Sequence, residues 1–180
     1  MEKLERISRT LIHKGAVIEY YEDKVKDENG LVKTYDSIIH KGAAAVVAVK
    51  DDGKILMVKQ YRNILDRFTI ELPAGGKNTI DEPTIQCASR ELEEETGYKS
   101  EDLELLLSIK TTVAFCNEAI DIYLARNLKP SKQNLDEGEF IDVYEYDIEE
   151  LIEKIYKCEI QDSKTVCALL AYYNKYVKNN

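Results

Sequence analysis

The residues best suited to chemistry crowd into one stretch: Glu82, then Arg90, Glu91, Glu93, Glu94 and Glu95. At about 100° of turn per helical residue, Glu91, Glu94 and Glu95 fall at roughly 0°, 300° and 40°, on one face. Leu92, at about 100°, turns toward the packed side. Like charges at i,i+4 destabilise a helix, so three neighbouring carboxylates need a reason. One reading is a solvated charged face, the common fate of charge runs. The other is a site for hard divalent cations such as Mg2+ or Mn2+, which prefer oxygen-only ligation. Neither histidine joins the cluster, since His13 and His40 lie far upstream, and this weighs against zinc. Just before the helix, Gly75 and Gly76 offer a backbone that a ligand could approach closely.

Those carboxylates need a helix and something for it to lie on. The spacing predicts a helix from near Asp81, with Pro83 in its first turn, to Gly97 as the left-handed stop. Ile85, Ala88 and Leu92 form its expected core stripe. The first forty residues read as a β segment, with β-prone runs at 16–21 and 31–35 around the hairpin signal Asp27-Glu28-Asn29-Gly30. Residues 43–49 read as a buried strand, turned by Asp51-Asp52-Gly53 into 55–61. A short strand at 69–72 ends at Pro73 and leads into a loop through Ile80. Strands are expected at 103–109 and 120–125, and helices at 148–156 and 164–177. Strands mixed with a few helices indicate an α+β or mixed α/β fold.

Composition narrows the partners. The 180 residues carry 25 Lys+Arg against 34 Asp+Glu, a net charge of −9, and the pI is near 4.9. That balance disfavours a nucleic-acid backbone as partner. There is no apolar run of membrane-spanning length and no apolar stretch near Met1, so neither a membrane span nor a secretory signal is expected, and a cytoplasmic location is. Cys87, Cys116, Cys158 and Cys167 form no CxxC pair and read as reduced thiols, with Cys87 on the buried side of the helix.

Gly76, five residues, Glu82, seven residues, then Arg90-Glu91-Leu92-Glu93-Glu94-Glu95-Thr96-Gly97-Tyr98 resembles the box of the Nudix hydrolases, G-x5-E-x7-R-E-U-x-E-E-x-G-U, with U bulky and apolar. All its fixed positions are present, a coincidence on the order of 1 in 10⁹ at one start from background frequencies. Tyr98 is a slightly polar occupant of the final apolar place. Gln60-Tyr61-Arg62 and Glu71-Leu72-Pro73-Ala74-Gly75 are similar to stretches of the ADP-ribose pyrophosphatase branch, as are the acidic run 135–140 and residues 160–165.

The resemblance implies an α/β/α sandwich with a mixed sheet over residues 41–180, preceded by a small antiparallel β segment over 1–40 that is exchanged in a homodimer. It implies Mg2+-dependent (or Mn2+-dependent) hydrolysis of a nucleoside diphosphate sugar, with ADP-ribose first and GDP-mannose or ADP-glucose behind it. A non-catalytic nucleotide-sugar sensor is the alternative of another class. Glu91 and Glu95 would be the principal metal ligands, Glu94 a third, Glu82 a supporting one and the carbonyl of Gly75 (or of Ala74, if the extra glycine bulges) a further one. Arg90 would orient the carboxylates, while Glu71 and Gly76 would meet substrate; Arg62 would close an ion pair or contact a terminal or bridging phosphate, and the branch favours the phosphate. The base would be a late-loop carboxylate, Glu137 first and Glu139 in reserve. Tyr20, Tyr21 and Tyr35 are candidates to stack on a base, though cross-strand sheet pairing is the better reading of each taken alone. One departure bears on substrate identity. Where the branch has Pro-Gly after the box, this chain has Val113-Ala114, losing a fixed φ and a permissive glycine.

Overall fold

In the computed structural model, residues 4–178 are described. They group into two compact units, one comprising the chain up to Gly42 with Lys110–Ala119, the other Ala43–Ile109 with the chain from Ile120. The described part of the expected segment, residues 4–40, lies within the first unit, which also takes in 110–119 from the expected 41–180.

The first unit is a three-stranded antiparallel sheet, β1(Glu5–Lys14), β2(Glu19–Lys26) and β3(Val32–Ile39), with β2 in the middle. The hairpin between β2 and β3 turns on Asp27, whose Oδ1 accepts from the amides of Asn29 and Leu31, and on Gly30 at φ 84°. Asp23, 5% exposed, is the buried charge of this sheet. Arg9 grips it through Nε and Nη2 at 2.7 and 2.6 Å, and Ser37 donates at 2.7 Å. The segment 110–119 is tied to the end of β3, with Ile38 N donating to Phe115 O at 2.7 Å and His40 N to Asn117 Oδ1 at 2.7 Å. It presents Val113 and Phe115 to solvent.

The second unit is built on a larger sheet in the order β12-β5-β4-β10-β9, from β4(Ala43–Val49), β5(Ile55–Arg62), β9(Asp102–Lys110), β10(Ala119–Arg126) and β12(Ile141–Tyr146). β4 and β10 run parallel; β5 is antiparallel to both β4 and β12. β6(Arg67–Glu71) pairs with β5, and β7(Ala74–Gly76) pairs with β4. β5 leaves β4 beyond Ala48, and β7 takes the same strand up at Ala45. At the junction Val46 N donates to Pro73 O at 2.9 Å. The expected loop after Pro73 therefore begins as a strand. β12 and the two-residue pair β8(Tyr98–Lys99) and β11(Lys129–Pro130) were not expected. They are short or charge-rich, so alternation alone does not reveal them.

Alternation along the central strands explains the layers. Ala43, Ala45 and Val47 with Ile55, Met57, Ile122 and Leu124 face α2(Ile148–Tyr156) and α3(Ser163–Tyr172), while Ala44, Val46, Ala48, Leu56 and Ala125 face α1(Thr84–Thr96). Alanines under α1 leave room for that helix to lie close. Its buried apolar residues are Cys87, Ala88 and Leu92. Ile85, expected in the core stripe, is 44% exposed, because the packed face begins two residues later. α1 starts at Thr84 with Pro83 as its N-cap, so Pro83 precedes the first turn and does not lie within it. Gly97 closes the helix at φ 70°, as its position predicted. The stretch expected as a helix over 164–177 is α3 continued by a π-helical turn, Tyr173–Val177. No helix among the described residues is long and apolar enough to cross a membrane.

The Arg9 fork holds the Asp23 carboxyl at about 2, against burial and with help from Ser37. A depressed carboxyl stabilises the fold above its ordinary value of 3.8 and loses that contribution as pH falls to about 2. D23N should lower unfolding stability at pH 7 by about 2 kcal/mol. It should also flatten the loss of stability between pH 4 and 2, as measured by denaturant melts.

Candidate active site

The site grows from the short segment between β6 and α1, where almost every residue has a separate restraint. Glu71, 3% exposed, receives Arg62 through Nε and Nη2 at 2.7 Å each, Lys164 Nζ at 2.5 Å and Thr69 Oγ1 at 2.7 Å. Burial alone would raise its carboxyl, but these donors prevail and hold it at about 2. Leu72 N donates to Thr165 Oγ1 at 3.0 Å, and Thr165 is in turn held by Asp162, the N-cap of α3. Ala74 N donates to Glu95 Oε2 at 2.9 Å. Gly76 O accepts from Arg90 Nη2 at 3.1 Å.

Gly75 matters for what it lacks. A Cβ there would overlap the Glu91 carboxyl group, so the glycine makes the space in which that carboxylate sits. The register Ala43↔Gly76, Ala44↔Gly75, Ala45↔Ala74 is regular. The extra glycine therefore does not bulge, and the backbone beside Glu91 is that of Gly75.

On α1, Glu91 and Glu95 are buried and Glu94 is partly exposed. The expectation of a solvated face thus fails for two of the three. Burial pushes Glu95 up to about 8; the Ala74 amide opposes this, Glu91 and Glu139 add to it, and Lys164 counters it. Glu91 is also raised by burial, against the pull of Arg90 and with the charges of Glu94 and Glu139 adding. Arg90 Nη1 lies 2.5 Å from Glu91 Oε1 and 2.9 Å from Glu94 Oε2, and its Nε is 3.5 Å from Glu82 Oε1. Burial disfavours its charge, but Glu91 and Glu94 prevail and raise its pKa above the usual value. Glu82 also receives Asn78 N at 2.5 Å, which fastens the loop before the helix.

The contacts of the other expected residues are specific. Arg62 directs two of its nitrogens at Glu71, the ion pair that was one of its two expected roles. Glu71, expected to meet substrate, is enclosed by its donors and acts as a brace for the strand. Gly76 is exposed, and its carbonyl is taken by Arg90. Glu91, Glu94, Glu95 and Glu82 do not converge on one point: among the described residues no group of three or more His, Cys, Asp or Glu side chains is placed to hold a metal ion. Between Glu91 and Glu94 the positive charge is the guanidinium of Arg90. The donor set still suits a hard divalent cation, being all oxygen, with two carboxylates that burial raises against the opposing charge they have. On the late loop Glu137 and Glu139 are both exposed, Glu137 at a turn, and the charge of Glu139 adds to the raising of Glu91 and Glu95. Lys164 and Thr165 were missed as supports. The only signal was the string 160–165, which carries no chemistry until α3 brings it to Glu71.

The NUDIX domain family matches residues 39–169. The chain belongs to the Nudix family. Two Nudix-sized relatives span nearly all of it. The methanol dehydrogenase activator of Bacillus methanolicus is 40% identical over 160 residues, covering 88% of this chain and 86% of that protein. The ADP-ribose pyrophosphatase of Bacillus subtilis (strain 168) is 39% identical over 173 residues, covering 94% and 93%. Among solved structures, an ADP compounds hydrolase superposes with a TM-score of 0.84 over 96% of this chain and 93% of that one, at 18% identity, a likeness of fold.

Two outcomes are expected from this Nudix site. G75A should displace the Glu91 carboxyl and weaken Mn2+ binding by about 10-fold or more, measured by calorimetry, with the far-UV spectrum unchanged. A carboxyl raised from 4.5 to about 8 favours the fold below pH 4.5, and that contribution is lost as pH rises through 8. Metal-free E95Q should therefore lose less thermal stability than the parent between pH 5 and 9.

Proposed function

We propose that the chain is a divalent-metal-dependent pyrophosphohydrolase of nucleoside diphosphate sugars, which takes ADP-ribose to AMP and ribose 5-phosphate. The observation that carries this reading is the pair of buried carboxylates, Glu91 and Glu95, set against Ala74-Gly75 within a complete Nudix box and within reach of the charge of Glu139. The name of the B. subtilis relative supports ADP-ribose as first substrate. GDP-mannose and ADP-glucose stand behind it, because Val113-Ala114 replaces the branch's Pro-Gly.

Glu91 and Glu95 would hold Mg2+ (or Mn2+), with Glu94, Glu82 and the Gly75 carbonyl in support. Such ions, when bound, neutralise a diphosphate and acidify water beside it. The protein's own part is then clear. Arg90 keeps Glu82, Glu91 and Glu94 in register with the Gly76 carbonyl, and the Ala74 amide aims Glu95. Glu139 would accept the proton of the attacking water, with Glu137 second. A base must lie near the ligands without being one. Arg62 and Lys164 fix Glu71 and so the strand that carries Ala74 and Gly75.

The activator name of the B. methanolicus relative supports a second reading, in which the chain regulates a partner enzyme through the same ligand. We also propose a cytoplasmic homodimer that binds neither nucleic acid nor membrane. Its support is the acidic balance and the apolar side chains Leu4, Ile7, Leu11 and Ile12 exposed on or beside β1.

Purified protein with ADP-ribose and Mg2+ should release AMP, read by chromatography; tight binding without turnover of any diphosphate sugar would leave only the regulatory reading. E139Q should lower kcat by about 10²–10⁴-fold while E137Q stays within about threefold, and the reverse order would move the base to Glu137.

A further inference from the structure

The last carbonyls of a helix have no partners within it. In α1 they are met from one segment. Gly97 N caps Glu93 O at 2.9 Å, but Asn134 N donates to Glu94 O at 2.9 Å and Gln133 Nε2 to Glu95 O at 2.7 Å. Ser131 N reaches Gly97 O at 2.7 Å. The segment runs so close that a Cβ on Gly97 would stand 3.0 Å from Gln133 N. Gly97 is thus required twice, for its positive φ and for this approach.

Gln133 does more than cap. The same Nε2 donates to Ile141 O at 3.3 Å, where β12 begins. One amide nitrogen therefore joins the two ends of the loop that carries Glu137 and Glu139, and fastens that neck to the backbone of Glu95. Both acceptors are carbonyls, so the nitrogen must face them, and an ionised acid or any other side chain without a donor could not replace it. Within the loop, Glu139 N donates to Asp136 O at 3.0 Å, and Asp136 N to Glu139 Oε2 at 3.2 Å. The turn holds its own shape but not its distance from α1. The neck sets that distance.

We infer that Gln133 is a positioning residue, which fixes the Glu139 loop against the carboxylate helix by bridging Glu95 O and Ile141 O. The inference rests on the reading of Glu139 as base. Gln133 touches no reacting atom; it acts through the placement of Glu139. A shift of about 1 Å in a reacting group can cost on the order of 100-fold in rate.

The test uses the full chain with Mg2+ and ADP-ribose. Q133M keeps the side chain's length and removes its donor. It should lower kcat by about 10-fold or more, while KM and the Kd for Mn2+ stay within about twofold. Amide hydrogen exchange at residues 135–140 should quicken, while exchange in the middle of α1 does not. S131A, which removes only the hydroxyl that bonds Glu93 on the exposed side of the helix, should match the parent. If Q133M fails to fold, Q133N keeps a donor one methylene short and should show the same split between kcat and KM in smaller measure. Parental kcat in a folded Q133M or Q133N would overturn the inference while leaving the hydrolase reading intact. So would a parallel fall in metal affinity and kcat, which would make Gln133 a prop of the helix alone. An inactive parent, or full activity in E139Q, would instead overturn the reading beneath it.

Discussion

Two carboxylates stand side by side out of water on one helix face, and everything else at the site answers to that. Glu91 and Glu95 have little open solvent to stabilise their charge, and the charge of Glu91 raises the cost of ionising Glu95. The protein offers partial answers. Glu95 has one backbone amide, Ala74 N, and Glu91 has the guanidinium of Arg90 and a gap where Gly75 lacks a side chain. Neither answer is complete, which is why both groups remain raised. A metal site works this way: ligands held close by the fold, with their charge only partly met until a cation arrives.

The arrangement depends on where β7 lies. The sheet opens beyond Ala48, and the opening is filled by Pro73 to Gly76, so that the edge of β4 passes from one strand to another. That segment is anchored upstream by Glu71, on which Arg62, Lys164 and Thr69 converge, and by Thr165 on Leu72. The start of α3 thus fixes the strand that in turn aims the carboxylates of α1. Downstream, the segment 131–134 meets the end of α1 and delivers the Glu139 loop to it. A buried ion pair breaks at great cost when one partner is removed, but it adds little to stability beside an apolar pair. The cluster around Glu71 is therefore better understood as fixing geometry than as strengthening the fold.

Local patterns revealed what depends on local physics. The Asn-Gly hairpin, the alternation of β4 and β5, and the left-handed stop at Gly97 each rest on a few neighbouring residues, and each stands where the spacing placed it. So does the common face of Glu91 and Glu95, which helical geometry dictates. Ile85 and the start of α1 were misplaced because periodicity gives the direction of a face but not where packing against it begins. β7 read as a loop because three small residues show no alternation; they form a strand only because β4 has a free edge beside them.

The site divides along the same line. Sequence alone determined that carboxylates, a glycine and an arginine recur at Nudix spacing, since that spacing is a property of one continuous loop and helix. It did not determine which side those carboxylates turn to, nor that Arg62 would be held by Glu71, nor that the charge of Glu139 would add to that of Glu91 on Glu95. Those outcomes join residues from nine to more than ninety positions apart, through contacts with Lys164, Gln133 and Ala74. Burial and long-range hydrogen bonds decide them, and neither exists until the layers have packed.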